Sequence, residues 1–380
     1  MFRLARRIVI VVLVAAIAAT AFTIARGDQA ASVPRAKAAA VSHRLREVWR
    51  VPLPYGDVGQ PAADQAGIVV TAGGHKVVAL SPTGGIDWTA EVAGAELYKP
   101  RLSDDAVYVA TDHGVVALRR DTGVPMWSAA TAAQGHTDRA NRPVLVGDTV
   151  VVTAADGLVV ALDRGTGAPK WRTTLPTEVV SEPATGGGAG VAPVVVVVGV
   201  AQWWGIEPTT GEILWSGDLG LVGTSSPVVY ASGADTLAAV ATDGKVLAVS
   251  GRTGAEQWVS QADQSELLQV PVIAANGNEL LVPDHWGRLA SFDPYDGRRL
   301  WSVAGADTVA EFGEPVLIAD RLVAVALDAD GPRLGSPRGS APLPLPAAGH
   351  AVGELPDVVG SLLVTTWGKT TNYVLLFQVR

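Results

Sequence analysis

The chain repeats one short motif, in which Thr-Gly is followed by three further residues and then by Trp. Five copies carry Thr-Gly and a sixth carries Asp-Gly, and successive Trp residues lie 39 to 44 positions apart. A period near 40 residues is typical of the blades of a β-propeller, each of which is a four-stranded sheet. The six copies contain Gly84, Gly123, Gly167, Gly211, Gly254 and Gly297, with Trp88, Trp127, Trp171, Trp215, Trp258 and Trp301.

Each motif follows an apolar run that starts just after a turn. In the clearest copy the run 159–162 follows Asp156-Gly157 and leads into the motif. β-Branched runs between glycine-bearing turns are typical of strands joined by hairpins, because Gly adopts the positive φ that tight turns require. A Trp at a fixed offset places one large ring at the same position in every sheet, where it fills the space between neighbouring sheets. We therefore interpret the motif residues as structural.

A series of eight prolines, each followed by a short apolar segment, predicts eight innermost strands. Pro is tolerated at the first residue of a strand. Six sheets carry the Trp motif, a seventh follows Pro315 without the Trp, and an eighth, after Pro356, has three strands. The N-terminal segment 46–53, with Trp49, is predicted to supply the missing outer strand and to close the ring. The fold class is therefore predicted to be all-β, an eight-bladed β-propeller closed by an N-terminal strand and preceded by one N-terminal helix. The prolines are Pro61, Pro100, Pro143, Pro183, Pro227, Pro271, Pro315 and Pro356.

The clearest copy, from Gly157 to Trp171, reads Gly-x-Val-x-Ala-Leu-Asp-x-x-Thr-Gly-x-x-x-Trp. It resembles the pyrroloquinoline-quinone (PQQ)-like repeat, and the resemblance extends over residues 46–380. A ring of this length is similar to the non-catalytic members of that superfamily, such as the B-subunit propellers of the bacterial β-barrel assembly machinery. The resemblance implies a protein-binding role, whereas the repeat residues themselves are structural. The chain departs from those lipoproteins because it has no Cys that a lipid could modify.

The same repeat occurs in PQQ-dependent dehydrogenases, so the resemblance also raises an enzymatic alternative. It implies an adjacent Cys pair over the cofactor, a calcium ion held by carboxylate and amide side chains, and large insertions. The chain has no Cys and no insertion long enough to cover a cofactor. It also lacks His-Glu-x-x-His, Gly-x-Ser-x-Gly and a Walker loop. The sequence therefore predicts a non-catalytic protein without cofactor or metal.

The N-terminus predicts either a membrane anchor or a signal peptide. Three arginines precede an apolar stretch over residues 8–25, which is short for a transmembrane helix and long for a signal peptide. The basic start places the N-terminus in the cytoplasm and the rest of the chain outside the bacterial cytoplasmic membrane, or secreted if the segment is cleaved. We assign residues 1–26 to this segment, 27–45 to a flexible tether and 46–380 to the propeller.

Charge excludes one class of partner. The formal net charge is −8, and the first 43 residues hold six Lys or Arg and one acid. The remainder carries 23 basic and 36 acidic side chains, a net −13. Nucleic-acid binding requires a cationic surface, so no nucleic-acid partner is expected.

The candidate site is one mouth of the central channel, where loops held by a rigid ring come together. The segment before each innermost strand and the turn between the second and third strands surround this mouth. Their mixture of cations, acids and aromatic rings suits a protein loop or a polar ligand. The extra pair Trp203-Trp204 either anchors a partner or fills its sheet, and the Gly-rich stretch 184–192 is interpreted as a flexible hairpin loop. The candidate rim residues are Lys99, Arg142, Glu182, His285, Trp286, Glu314 and Trp367.

The sequence thus predicts a membrane-tethered, extracytoplasmic propeller that acts as a scaffold for an envelope or membrane protein. The alternative is a binder of a small ligand or glycan at the channel mouth. The two differ in the expected site, because a ligand site needs a deep pocket with converging polar groups.

Overall fold

All described elements of the chain are β-strands. The computed structural model describes residues 45–95, 98–131, 141–154, 156–188, 190–220, 225–233, 235–242, 244–261, 272–273, 279–283 and 289–303, and the strands between 311 and 379. None of these segments forms a helix that could cross a lipid bilayer. Residues 1–44, with the predicted anchor and nearly all of the tether, lie outside the described part.

The strands form antiparallel sheets in chain order, and the first three sheets contain four strands each. The N-terminal strand, β1 (Leu45–Leu53), belongs to the last sheet. Sheet 1 contains β2 (Ala62–Asp64), β3 (Gly67–Ala72), β4 (Lys76–Leu80) and β5 (Ile86–Glu91). Sheet 2 contains β6 (Arg101–Leu102), β7 (Ala106–Thr111), β8 (Gly114–Arg119) and β9 (Pro125–Ala130). Sheet 3 contains β10 (Val144–Val146), β11 (Thr149–Thr153), β12 (Leu158–Asp163) and β13 (Pro169–Thr174).

The next three sheets repeat this four-stranded order. Sheet 4 contains β14 (Ala184–Gly188), β15 (Val191–Val198), β16 (Gln202–Ile206) and β17 (Ile213–Asp218). Sheet 5 contains β18 (Val228–Ser232), β19 (Asp235–Thr242), β20 (Lys245–Ser250) and β21 (Glu256–Gln261). Sheet 6 contains β22 (Val272–Ile273), β23 (Leu280–Pro283), β24 (Leu289–Phe292) and β25 (Arg299–Val303).

The last two sheets have five described strands each. Sheet 7 contains β26 (Glu311–Phe312), β27 (Val316–Ile318), β28 (Arg321–Asp328), β29 (Gly331–Ser336) and β30 (Gly339–Pro342). Sheet 8 contains β31 (His350–Ala351), β32 (Asp357–Val359), β33 (Leu362–Gly368), β34 (Asn372–Val379) and the N-terminal β1. The predicted pairing of the N-terminal strand is confirmed, since β1 runs antiparallel to β34 from Leu45↔Val379 to Leu53↔Asn372.

The described sheets follow one another as the blades of a propeller do. One strand begins directly after each of the eight prolines. In chain order these strands are β2, β6, β10, β14, β18, β22, β27 and β32. Of these strands, β32 lies against both β27 and β2, which places the last sheet beside the first. The shared axis of such a ring is where these first strands meet.

The core consists of apolar layers between neighbouring sheets, because the middle strands are buried on both faces. In β11, Val150 and Val152 pack toward sheet 2, whereas Val151 packs toward sheet 4. Side chains alternate between the faces of a strand, so such a strand reads as a continuous apolar run rather than an alternating one. The outer strands are instead exposed on the face away from the core. In β13, for example, Trp171 is the buried residue and its two neighbours are exposed.

Six of the Trp residues at this position of a sheet are held by the next sheet. The Cβ that Ala would add at Gly123 falls 2.4 Å from Trp88, so the ring lies directly on that glycine. The Trp88 indole N–H donates to the Arg120 carbonyl at 2.9 Å. Five further Trp residues contact the next sheet in the same way: Trp49 on Gly84, Trp127 on Gly167, Trp171 on Gly211, Trp215 on Gly254 and Trp258 on Gly297.

Trp301 differs from these six residues. Its indole N–H donates to the Glu279 carboxylate of its own sheet at 3.0 Å, and its side chain is half-buried. The seventh sheet has no Thr-Gly motif to receive the ring, which explains the change of partner. Among the described residues, no Trp–Gly contact of this kind joins sheets 6 and 7.

The opposite face from the candidate rim carries ion pairs between sheets. Arg120 Nη2 lies 2.6 Å from Asp64 Oδ1, and Arg164 Nη2 lies 2.8 Å from Asp105 Oδ1. In each pair the Asp lies in the first turn of one sheet and the Arg lies in the motif turn of the next. The Arg164 guanidinium, with the Ser103 hydroxyl, lowers the pKa of Asp105. Partly exposed pairs of this kind mainly fix the register of neighbouring sheets.

The motif turn of sheet 3 is closed by Asp163, which predicts a pH dependence. Its Oδ1 accepts hydrogen bonds from Gly165 N–H (3.1 Å), Thr166 N–H (2.9 Å) and the Thr166 hydroxyl (2.8 Å). The Thr166 hydroxyl is the largest cause of a pKa below the ordinary 3.8. A depressed carboxylate pKa contributes stability that is present above the ordinary value and lost as pH falls through the folded value.

We expect Asp163→Asn to keep the turn, because the amide oxygen still accepts, while losing the charge-assisted part of its stability. The urea midpoint of the variant should lie below that of the wild type at neutral pH. The two midpoints should converge as pH falls below 3.8. Urea titrations from pH about 7 to about 2.5 measure this. A constant difference over the whole range would contradict the role of the carboxylate.

One detail of the sequence interpretation is wrong. The Gly-rich stretch is predicted as a flexible hairpin loop, but Gly186 and Gly188 lie in β14 and pair with Val194 and Val191. Gly is required there because a Cβ on Gly186 would meet the Val229 carbonyl of the next sheet at 2.5 Å.

Candidate functional site

The inner rim is formed by the residue that precedes the proline of each first strand. A connector leads to each of these residues from the preceding sheet. Its backbone forms a hydrogen bond with the end of the second strand of the sheet that it enters. Gly59 N–H donates to Thr71 O at 2.8 Å, and Ser225 N–H donates to Ala241 O at 2.9 Å. The rim is thus held by backbone bonds to buried strands. Its members in the first five sheets are all half-buried: Gln60, Lys99, Arg142, Glu182 and Ser226.

Arg142 and Glu182 form a pair between the connectors of sheets 3 and 4. The Arg142 Nη1 lies 3.4 Å from Glu182 Oε2, and the two side chains are 12% and 33% exposed. The neighbouring Asn141 amide donates to Thr153 Oγ1 at 2.9 Å and to the Ser181 carbonyl at 3.3 Å. The Nε of Arg142 is buried and has no hydrogen-bond acceptor among the described residues. This side of the rim therefore presents a fixed charge pair with one unused donor.

Two exposed valines lie in the connector of sheet 4 and in the turn that this connector contacts. Val180, two residues before Glu182, is 52% exposed, and Val200 is 37% exposed. Val180 N–H donates to Val198 O at 3.1 Å, and Val200 N–H donates to Glu178 O at 3.2 Å. The two valines therefore lie diagonally across a short antiparallel contact, on the same face. We name Arg142, Glu182, Val180 and Val200 the rim patch.

The turn that carries Val200 is strained. Ala201 has φ 59°, whereas the corresponding turns of sheets 3 and 5 have Gly157 and Gly244 in this region. A left-handed conformation costs a non-glycine residue about 1–2 kcal/mol. Its carbonyl accepts the Leu219 N–H at 2.8 Å, which fixes the turn. Val200 thus precedes a residue in a disfavoured conformation, and such residues cluster at functional sites.

The structure brings together only part of the predicted rim. Arg142 and Glu182 meet, and Lys99 takes the equivalent position in sheet 2. Trp367 lies in β33, opposite Ala351 and Tyr373. His285, Trp286 and Glu314 lie outside the described residues. The extra pair Trp203-Trp204 is buried, each at 2% exposure, so it fills sheet 4 and offers no anchor to a partner.

The valines of the rim patch were missed at the sequence level. The available signal was the turn after the valine run of sheet 4. It reads Gly-Val-Ala-Gln where sheets 3 and 5 have Asp-Gly. Gly, Pro, Asn, Asp and Ser dominate turns, so an apolar residue in such a turn is unusual.

Comparison with models of known protein families shows to which family the chain belongs. A family model described as "outer membrane protein assembly factor BamB" matches residues 35–182, 112–265 and 178–334. These overlapping matches cover most of the chain. The chain belongs to the BamB family. The PQQ-like repeat identified in the sequence is thereby confirmed.

Solved structures support the same fold for this BamB-family chain. BamB from Moraxella catarrhalis superposes with a TM-score of 0.64 and 18% identity, covering 88% of this chain and 100% of that one. A europium-containing methanol dehydrogenase gives 0.63 and 12%, with 88% and 93% coverage. The quinohemoprotein alcohol dehydrogenase of Comamonas testosteroni gives 0.63 and 14%, with 90% and 78% coverage. At these identities the similarity concerns the fold alone. A search of curated protein sequences finds no match.

Proposed function

We propose that this chain is a non-catalytic scaffold that binds a protein of the bacterial envelope through its inner rim. Membership of a family described by an outer-membrane assembly role supports an envelope partner. In this proposal the eight sheets form one eight-bladed ring over residues 46–380, in which Trp49 and the first five motif Trp residues join their sheets to the next. Residues 8–25 tether the ring to the extracytoplasmic side of the cytoplasmic membrane.

The observation that carries the proposal is the rim patch. Protein-binding surfaces combine apolar contact area with a polar rim, and Arg is enriched in them. Val180 and Val200 would accept an apolar side chain of the partner, and the Arg142–Glu182 pair would face polar groups of the same loop. The backbone bonds that hold the connectors lower the entropic cost of binding, because little of the surface must be ordered. Sheets 3 and 4 therefore present a surface that is preorganised for binding.

The described residues do not fit the cofactor of the dehydrogenases with this fold. No Cys is present to form the expected pair above a quinone. Within the described ranges no three His, Asp or Glu side chains are grouped as ligands of one metal ion. The amide at the rim, on Asn141, is already bonded to Thr153 and Ser181. We therefore derive no step through PQQ and propose binding as the activity.

A capture experiment tests the proposal. The tagged full chain is purified in mild detergent from its own membranes, and co-purifying proteins are quantified by mass spectrometry. We expect a stoichiometric envelope protein with the wild type. In the double variant Val180→Asp and Val200→Asp its recovery should fall about tenfold or more, since two buried carboxylates would remove at least about 1.4 kcal/mol of binding.

The matched control places the same charges elsewhere on the surface. Ile86 and Val259 are 47% and 45% exposed on outer strands, so Ile86→Asp with Val259→Asp alters exposed apolar area to a similar extent. Recovery of the partner should be unchanged in this control. Equal recovery from both double variants would overturn the rim as the binding surface. Alcohol oxidation by the purified chain with added PQQ, above that of a heat-inactivated sample, would overturn the non-catalytic role.

A further inference from the structure

We propose that β9, the outer strand of sheet 2, pairs with β9 of a second copy of this chain and forms a two-fold symmetric dimer. The inference concerns a different surface from the rim patch and does not depend on the partner proposed there. It rests on the charge, the exposure and the backbone hydrogen bonding of β9.

The first observation is the absence of charge from β9. Its six residues are Pro-Met-Trp-Ser-Ala-Ala, and no residue from 124 to 131 is ionisable. Charged side chains on edge strands normally prevent pairing with other chains. The equivalent strands of the other motif-bearing sheets each carry at least one charge: Asp87 and Glu91 in β5, Lys170 and Arg172 in β13, Asp218 in β17, Glu256 in β21 and Arg299 in β25.

The second observation is the exposure of this strand. Met126 is 37% exposed and the preceding Val124 is 53% exposed. Ser128 and Ala130 are exposed as well, whereas Trp127, between Met126 and Ser128, is buried against sheet 3. The solvent face of β9 thus consists of one long apolar side chain followed by two small ones. Small residues allow a second strand to approach closely.

The third observation is the direction of the backbone groups. Sheet 2 has the order β6-β7-β8-β9, so no described strand pairs with the outer edge of β9. Thr131 N–H donates inward to His113 O at 3.1 Å, and Thr131 therefore belongs to a hydrogen-bonded pair. Hydrogen-bonded and non-bonded pairs alternate along an antiparallel ladder. The N–H and C=O groups of Ser128 and Ala130 consequently point to the open edge.

A second copy is the occupant that these three features favour. Antiparallel pairing of β9 with itself, centred on Ser128, places Ser128 opposite Ser128 and Met126 opposite Ala130. The long side chain then faces the small one, and no like charges lie opposite each other. The same self-pairing of β13 would bring Lys170 and Arg172 of both copies together, which is unfavourable. An isologous contact of this kind closes as a dimer.

The expected dimer is weak. Two paired six-residue strands bury less than the roughly 1,200 Å² typical of stable complexes. Self-association should therefore depend on concentration, and a covalent trap is the sharpest test. Because the chain contains no Cys, Ser128→Cys introduces the only thiol. Opposed Cα atoms of a hydrogen-bonded pair lie about 5.5 Å apart, within the range of a disulfide.

We expect the full-length Ser128→Cys chain in mild detergent to form a covalent dimer under mild oxidation. The matched control is Val259→Cys, which takes the same position after the motif Trp in sheet 5 and is 45% exposed. The control should remain at least about tenfold less cross-linked, because its strand carries Glu256. Non-reducing gels and intact mass spectrometry measure both. Equal cross-linking of the two variants would overturn the proposal.

Sedimentation equilibrium tests the same dimer without a cross-link. The wild type should self-associate with rising concentration. Ser128→Lys should weaken association about tenfold or more, since the ammonium groups of two copies would face each other. Val259→Lys should leave association unchanged. A monomeric wild type at every concentration, or association that survives Ser128→Lys, would place no contact at β9 and would overturn the proposal. Circular dichroism establishes that each variant is folded.

Discussion

Replacing Gly123 with Ala is expected to lower the free energy of unfolding by about 3 kcal/mol. The residue has φ 69°, and a left-handed conformation costs Ala about 1–2 kcal/mol. The new Cβ would also lie 2.4 Å from Trp88, a distance at which the ring must move. Forcing extra volume into a packed contact costs a further 1–3 kcal/mol, roughly. Both contributions act at one position because Gly123 turns the chain and supports the ring.

A second glycine separates the two contributions. Gly147 has φ 58°, but no atom lies within 4 Å of the Cβ that Ala would add there. Gly147→Ala should therefore show only the conformational cost, about 1–2 kcal/mol. Urea unfolding followed by Trp fluorescence measures both variants. Equal losses would mean that contact with Trp88 contributes nothing, and that the Thr-Gly motif serves the turn alone.

Replacing Trp171 with Ala is expected to cost about 4 kcal/mol. The ring is 9% exposed, and truncation of a buried aromatic side chain typically costs about 3–5 kcal/mol. The indole N–H also donates to the Pro208 carbonyl at 2.8 Å, and this buried acceptor would lose its partner. Trp171→Phe retains most of the apolar area and should lose only about 1–2 kcal/mol, through the hydrogen bond.

Trp301 is the matched comparison for Trp171. It occupies the same motif position, but its ring is half-buried and its N–H donates to Glu279 within its own sheet. Trp301→Ala should therefore cost clearly less, about 2 kcal/mol. The difference between the two Ala variants reports the contact with the following sheet. If both variants lose the same free energy in urea, the inter-sheet contact of Trp171 is not a source of stability.

The repeat and the strand pairing were predictable because each rests on a local rule. Pro61 precedes β2 and Trp171 fills a gap between sheets for reasons that appear in a few neighbouring residues. The pairing of β1 with β34 was also predictable, since an incomplete last sheet requires a strand from elsewhere. The prediction for the Gly-rich stretch was wrong because composition alone does not reveal that Gly186 faces the Val229 carbonyl of another sheet.

The rim patch was only half predictable. Arg142 and Glu182 could be placed at equivalent positions of two repeats, so their meeting follows from the period. Val180 could not be identified, because a valine in a connector looks like an ordinary strand residue in the sequence. The turn that carries Val200 departs visibly from Asp-Gly, but the positive φ of Ala201 in that turn could not be predicted, since Ala disfavours this conformation.

The pairing of β1 with β34 has a consequence for the synthesis of this protein. The first described strand, Leu45–Leu53, has its partner in Asn372–Val379, far along the chain. The sheets between them can collapse as they are synthesised, but β1 keeps an open edge until β34 has been made. Contacts of such long sequence separation form slowly. A nascent chain that stalls before its final strand therefore carries an unpaired edge, and a chaperone that covers short extended segments would protect it during this interval.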